Sequence, residues 1–229
     1  MLKKYGLGLF WIILLVDVYL IYTQQEELRW FTKPLLLTTL LVYFNLNVSR
    51  RHHSSSKVLA NVAMLFALVG DILLLLKGDL YFMAGLICFL VVHIVLAAYF
   101  TKMNSLKLKN SEYFFGALIP LLIVGAICIR FIHPFLGHLE IPVIIYSFVI
   151  ILMAATAANV LAEKKTINLA AKYFLPAALL LVLSDLTLAL NKFYFSTEEG
   201  FHILNIVVML TYGYGFSLLA KGFSTHLKR

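Results

Sequence analysis

Apolar stretches of roughly 18 to 22 residues recur eight times along this chain with short polar breaks between them, each about one bilayer thick when helical. They predict helices near residues 5 to 22, 31 to 48, 57 to 76, 80 to 101, 113 to 131, 141 to 162, 170 to 191 and 201 to 222. The longest breaks, Ser49 to Ser56 and Lys102 to Glu112, are too short to separate domains. Residues 1–229 therefore read as a single all-α domain, a polytopic membrane protein of eight transmembrane helices.

Composition agrees, since 62% hydrophobic and 13% charged residues cannot cover a soluble surface. A formal charge of +8 would suggest a nucleic-acid partner, but its distribution is topological. Lys3, Lys4, Arg50, Arg51, Lys57, Lys102, Lys107, Lys109, Lys164, Lys165, Lys172, Lys221, Lys228 and Arg229 all fall on one side of the eight spans. Arg29, Lys33, Lys77, Arg130 and Lys192 fall on the other, with most of the acids. The positive-inside rule then puts both termini in the cytoplasm and requires an even number of crossings. No nucleic-acid partner is expected. The first helix follows Lys3-Lys4 like a signal peptide, yet Thr23-Gln-Gln-Glu-Glu27 holds no small-x-small cleavage site, so it reads as a retained signal anchor. The expected location is a bacterial cytoplasmic (inner) membrane, as a multi-pass protein. Cys88 and Cys128 are isolated in apolar helices and read as small packing residues.

A weak internal echo runs through the pattern. A proline early in an even helix, Pro34 or Pro142, is followed by an odd helix ending in Gly70-Asp71 or Ser184-Asp185. The echo suggests two parallel four-helix halves.

Asp71 and Asp185 lie inside apolar runs, Met64 to Leu76 and Ala178 to Leu190. An ionised carboxylate at membrane depth costs several kcal/mol, so such a residue points to function and to a partner. Each precedes its helix exit by five or six residues, which places both at one level near the outer end. Asp17 in helix 1 sits at a similar level, as do Lys33, His202 and Asn205. Two carboxyl groups brought together in a low-dielectric pocket repel when both are charged, and a shared proton relieves them. A proton donor beside a carboxylate is the arrangement for cleaving acetal-like or ether bonds through an oxocarbenium ion. The plain alternative is that each acid bonds a helix partner such as Ser184, Thr187 or Lys33 and fixes packing.

His93 shares a helical stripe with Phe82, Gly85 and Phe89, where an imidazole could orient an acid or bond a substrate hydroxyl. His133 and His138 in an outer loop could meet a metal with His202, but no metal-binding spacing backs this and no metal or cofactor is expected. Lys33, Lys77, Arg130 and Lys192 could hold a phosphate, although residues at helix ends commonly snorkel. The two glycines of Tyr212-Gly-Tyr-Gly-Phe216 read as points of close helix approach.

Together these residues are similar to the YhhN family of lysoplasmalogenases, multi-pass membrane enzymes read as eight-helix proteins. The resemblance covers nearly the whole chain. It rests on Lys33-Pro34, Gly70-Asp71, the Phe82/Gly85/Phe89/His93/Tyr99 series, Pro142 with Tyr146 and Met153, and Ser184-Asp185 with Phe193. The chain departs from the family's pattern at Pro176-Ala177, where Gly-Ala is expected. It departs again at Tyr212-Gly-Tyr-Gly-Phe216, where a Gln is expected after the aromatic; this second departure touches the expected pocket wall.

The resemblance implies hydrolysis of the vinyl ether bond of a lysoplasmalogen, a lysophospholipid drawn from the membrane lipid. The products are a fatty aldehyde and glycerophosphoethanolamine or glycerophosphocholine, with no metal or cofactor. It makes Asp71 and Asp185 the catalytic acid/base pair, supported by Lys33 and His93; beside what the resemblance implies, Ser184, Tyr146, Asp17, His202 and Tyr212 are read from their positions as further substrate-binding or supporting residues. Two other readings compete. A proton-coupled transporter also uses buried carboxylates but needs polar groups toward both faces. A zinc-dependent intramembrane lipid hydrolase needs about three converging histidines.

Overall fold

The computed structural model describes residues 2–48, 54–106, 111–195 and 202–228, apart from the side chains of Leu2 and His202. Its long elements are α1 (Leu2–Tyr22), α2 (Arg29–Asn47), α3 (Ser55–Leu73), α4 (Asp79–Met103), α5 (Glu112–Leu136), α6 (Glu140–Asn159), α7 (Ile167–Tyr194) and α8 (His202–His226). Among the described residues there is no strand. Six stretches are long and apolar enough to cross a membrane: Lys3–Tyr22, Ser55–Leu73, Asp79–Met103, Glu112–Ala162, Ile167–Tyr194 and Ile203–His226. The fourth runs through both α5 and α6, and α2 is not among the six. Helix α2 is more polar because it turns Arg29 and Lys33 inward, where both are buried against α1 and α3.

Short connections force consecutive helices into antiparallel hairpins, and α1 packs on α2, α3 on α4, α5 on α6 and α7 on α8. The hairpins join through α2 on α3, α4 on α6, α6 on α7, and α8 on both α1 and α2. Among the described residues the larger apolar core holds Leu36, Leu40, Phe44, Met64, Leu96, Met153 and Leu181, and a smaller one gathers Ile132, Leu136, Leu139, Val143 and Phe193. Toward the ends of α4 and α8 remote from the candidate site, Tyr99 meets Phe174 edge to face and Phe223 packs tilted against both rings. Helix α5 packs chiefly on α6 and the last turns of α7, and it exposes Ile119, Ile123 and Ile127 as a lipid-facing helix does.

Helix ends depart from the hydropathy pattern where turn chemistry overrides it. Helix α3 stops at Leu73 although Leu74-Leu75-Leu76 follow. Short i to i−3 bonds from Leu75 and Leu76 lead into Gly78, whose φ of 117° strains any residue with a side chain. Helix α7 instead continues to Tyr194 through a π-helical turn, Leu190–Tyr194. Asp71 therefore sits in the last turn of α3, whereas Asp185 lies about two and a half turns before the end of α7, so the equal spacing to a helix exit is not kept. Helix α2 begins at Arg29, which moves Lys33-Pro34 from the helix start to its second turn. The Pro176 departure follows a second π turn, Ala170–Phe174, which absorbs the hydrogen bond that proline cannot make.

The seam between α3 and α4 depends on glycine. A Cβ at Gly70 would lie 2.8 Å from Phe89 Cε2, and one at Gly85 would lie 2.8 Å from Leu74 Cδ2. In α8, Gly213 faces Leu14 of α1, and Gly215 faces Leu181 and the Ala177 carbonyl of α7. Both glycines thus admit neighbouring helices, as the sequence suggests. Gly70→Val should overpack the α3–α4 seam by about 1–3 kcal/mol and lower the melting temperature of the detergent-solubilised protein. An unchanged melting temperature would contradict this packing.

Candidate active site

Asp71 and Asp185 both line one polar cavity of about 490 Å3. Around them stand Arg29 and Lys33 from α2, Lys77 and Gly78 from the α3–α4 turn, Ser184, Asn191 and Lys192 from α7, and Asn205 and Tyr212 from α8. A second cavity, about 90 Å3 and mostly apolar, lies between α4, α5, α6 and α7. Leu74, Phe82, Phe89, Asp185 and Leu188 line both. Asp185 is therefore the acid at which the polar and apolar spaces meet.

Each carboxylate has its own partners. Lys33 Nζ lies 3.6 Å from Asp71 Oδ1, and the Tyr212 hydroxyl donates to Asp71 Oδ2 at 2.8 Å. His93 Nε2 lies 3.0 Å from Asp185 Oδ2, and the Tyr146 hydroxyl donates to the same oxygen. His93 Nε2 also lies 2.9 Å from the Tyr146 oxygen, which closes a three-residue network. Both tyrosines satisfy a polar tip within an apolar wall, which a buried Tyr requires. Among the described residues no hydrogen bond joins Asp71 to Asp185, so a proton passed directly between them is not what the geometry gives. The physical reason is that side chains from four other helices reach the two carboxylates first. Asp71 is nearly inaccessible, while the Asp185 side chain keeps 15% of its surface exposed toward the cavities.

The partner pattern has a symmetry. Asp71 on α3 is reached from α2 and α8, and Asp185 on α7 is reached from α6 and α4. Exchanging the first four helices with the last four maps α2 onto α6 and α8 onto α4. Corresponding helices thus hold the two acids.

Of the supporting residues read from the sequence, Lys33, Ser184 and Tyr212 line the polar cavity and Tyr146 lines the apolar one. His93, 1% exposed, stands behind Asp185 as its stripe with Phe82 and Phe89 implies. The Ser184 hydroxyl donates to the Val208 carbonyl at 3.1 Å and the Thr187 hydroxyl to the Leu183 carbonyl, so neither bonds an acid. Asp17 is fully buried but lies off the cavity, against Thr32 and Arg29. The side chain of His202 lies outside the described residues. His133 pairs with Glu140 at 3.3 Å and His138 is exposed on the next turn; among the described residues no three of His, Cys, Asp or Glu gather around one point. Arg130 is not part of the cavity lining, and Lys192 pairs with the exposed Asp79 at 3.6 Å. Arg29 and Asn191 were not singled out by the sequence. Arg29 opens a helix beside a polar break, where an arginine usually serves topology, and Asn191 follows an apolar run without a motif.

The sequence profile of the YhhN family matches residues 28–223. The chain belongs to the YhhN family. The matched span includes every residue of the two carboxylate networks, from Lys33 to Tyr212, and leaves Asp17 outside. Over 166 residues the chain is 30% identical to lysoplasmalogenase TMEM86A of Bos taurus, a region that covers 70% of this chain. This YhhN chain spans 62% of the length of that relative. No solved structure matches it.

Proposed function

We propose that this YhhN protein hydrolyses the vinyl ether bond of lysoplasmalogens at Asp71 and Asp185. The observation that carries the reading is the meeting of a cation-lined cavity and an apolar cavity at Asp185. An amphiphile with a phosphate headgroup and one hydrocarbon chain suits such a pair of spaces, the first methylenes of the chain entering the apolar one, and its 1-alkenyl ether linkage then falls at their junction. Family membership and the lysoplasmalogenase relative support the same substrate class.

Asp185, which lines both spaces, serves as the acid toward the vinyl group. Asp71, with Lys33 as its counter-ion, serves as the carboxylate base. Asp185 gives its proton to the β-carbon of the vinyl ether, leaving an oxocarbenium ion that the carboxylates stabilise. Water adds to that cation and passes a proton to Asp71, forming a hemiacetal. Asp71 returns this proton to the glycerol oxygen as the C–O bond breaks, while the hemiacetal hydroxyl proton goes back to Asp185. Aldehyde and glycerophospho-base leave, and both acids regain their starting states.

The same reading takes eight membrane crossings with cytoplasmic termini and two parallel four-helix halves in an inner membrane. The α1–α2 hairpin supports α2 as a crossing despite its polarity, and the exchange of helices around the two acids supports the halves. Purified protein incubated with 1-alkenyl and 1-acyl lysophospholipids should release aldehyde from the alkenyl lipids alone. Release of fatty acid from the acyl lipids would redirect the function to an ordinary lysophospholipase. Uptake of substrate into proteoliposomes without product would favour a transporter. Activity is expected to survive a strong chelator such as EDTA within about twofold, whereas its loss and recovery on adding zinc would establish metal-dependent chemistry.

A further inference from the structure

Asp17 and Arg29 form a buried ion pair that the proposed chemistry does not use. Arg29 Nε lies 3.5 Å from Asp17 Oδ1, and the Thr32 hydroxyl donates to the same oxygen at 2.6 Å. Asp17 is on α1 and off the cavity, while Arg29 lines the cavity from α2. The other carboxylate near Arg29 is Glu26, an exposed residue 3.9 Å from Nη1. Arg29 Nε itself makes no hydrogen bond. A guanidinium carries five N–H donors in a rigid fork, and this one is paired through Nε with Asp17 and only at the limit of an ion pair, through Nη1, with Glu26. The donors left over are suited to a phosphate, which an arginine grips through two parallel bonds.

The charge balance of the cavity points the same way. Arg29, Lys33, Lys77 and Lys192 line it together with two acids, Asp71 and Asp185. Lys33 is paired with Asp71 and Lys192 with Asp79, while Arg29 takes its counter-charge from Asp17 outside the cavity, so the lining itself keeps an excess of positive charge. Resting on the lipid-hydrolase reading above, we propose that Arg29 is the binding residue for the substrate's phosphodiester. Asp17 is its positioning residue, holding the guanidinium toward the cavity with Thr32 fixing the carboxylate. This gives the third intramembrane acid a role distinct from that of the other two.

The test compares binding with turnover, using the full chain in lipid nanodiscs. Binding of sn-glycero-3-phosphocholine, the headgroup product, is measured by calorimetry for wild type, Arg29→Gln, Arg29→Lys and Asp17→Asn. Arg29→Gln should weaken binding about tenfold to a hundredfold, the range of a lost charge-assisted contact. Arg29→Lys keeps the charge and loses the fork, so its loss should be intermediate. Asp17→Asn should raise KM for a 1-alkenyl lysophospholipid by about fivefold or more with kcat within about threefold. Unchanged product binding in Arg29→Gln would overturn the phosphodiester site, and a fall in kcat without a rise in KM in Asp17→Asn would overturn the positioning role. Inorganic phosphate binding more tightly than the phosphodiester would also overturn the proposal, reassigning the cavity to a free anion. If wild type bound the phosphodiester through Arg29 yet released no aldehyde, the hydrolase reading would fail and the binding site would stand.

Discussion

Asp185→Asn is expected to lower aldehyde release from a 1-alkenyl lysophospholipid by about a hundredfold to ten-thousandfold, the usual contribution of a general acid. An amide has nearly the same shape and still bonds Tyr146 and His93, so the protein should fold and insert as wild type does. It cannot deliver a carboxyl proton to carbon. KM should change little, because the headgroup cations and the apolar cavity remain. Steady-state kinetics on folded protein, checked by melting temperature, would decide it. Full activity in Asp185→Asn would remove the mechanism.

The second large effect concerns the Lys33–Asp71 pair, and it separates catalysis from packing. The side chains of Lys33 and Asp71 are 10% and 3% exposed, so removing one partner leaves an almost buried charge alone. Lys33→Met should destabilise the protein by about 3–5 kcal/mol, the cost of breaking a buried ion pair. Asp71→Asn should destabilise it too and also abolish turnover. The double variant Lys33→Met/Asp71→Asn leaves no unpaired charge and should recover most of the lost stability. Its activity should stay at the Asp71→Asn level, since the base is still missing. Thermal melting and turnover of the four proteins would test this. Activity restored along with stability would show that Asp71 only holds helices together.

Much of the fold was legible because the bilayer imposes a length scale: each apolar run of about 20 residues appears as a helix. Misplaced ends have local causes that hydropathy does not carry. Leu74-Leu75-Leu76 reads as helix, yet Gly78 turns the chain. Lys192-Phe193-Tyr194 reads as an exit, yet a π turn continues the helix. The two aspartates were legible because a carboxylate inside an apolar run is conspicuous. Their immediate partners were harder to read: a tyrosine such as Tyr146 or Tyr212 is ordinary in a membrane helix, and its aim depends on helix rotation. Contacts such as His93 to Asp185 and Tyr212 to Asp71 join residues 92 and 141 positions apart. The separate hydrogen-bond partners of the two acids were illegible for the same reason: nothing in the sequence tells that Tyr212 and Tyr146 reach the carboxylates.

Protonation of a vinyl carbon by these buried acids is the step on which the proposed hydrolysis depends, and turnover in D2O tests it most directly. If Asp185 delivers a solvent-exchanged proton to the β-carbon, aldehyde released from a 1-alkenyl lysophospholipid will carry a single deuterium at C2, read by mass spectrometry. Aldehyde without that label, or none from protein that is folded in the membrane, would contradict it.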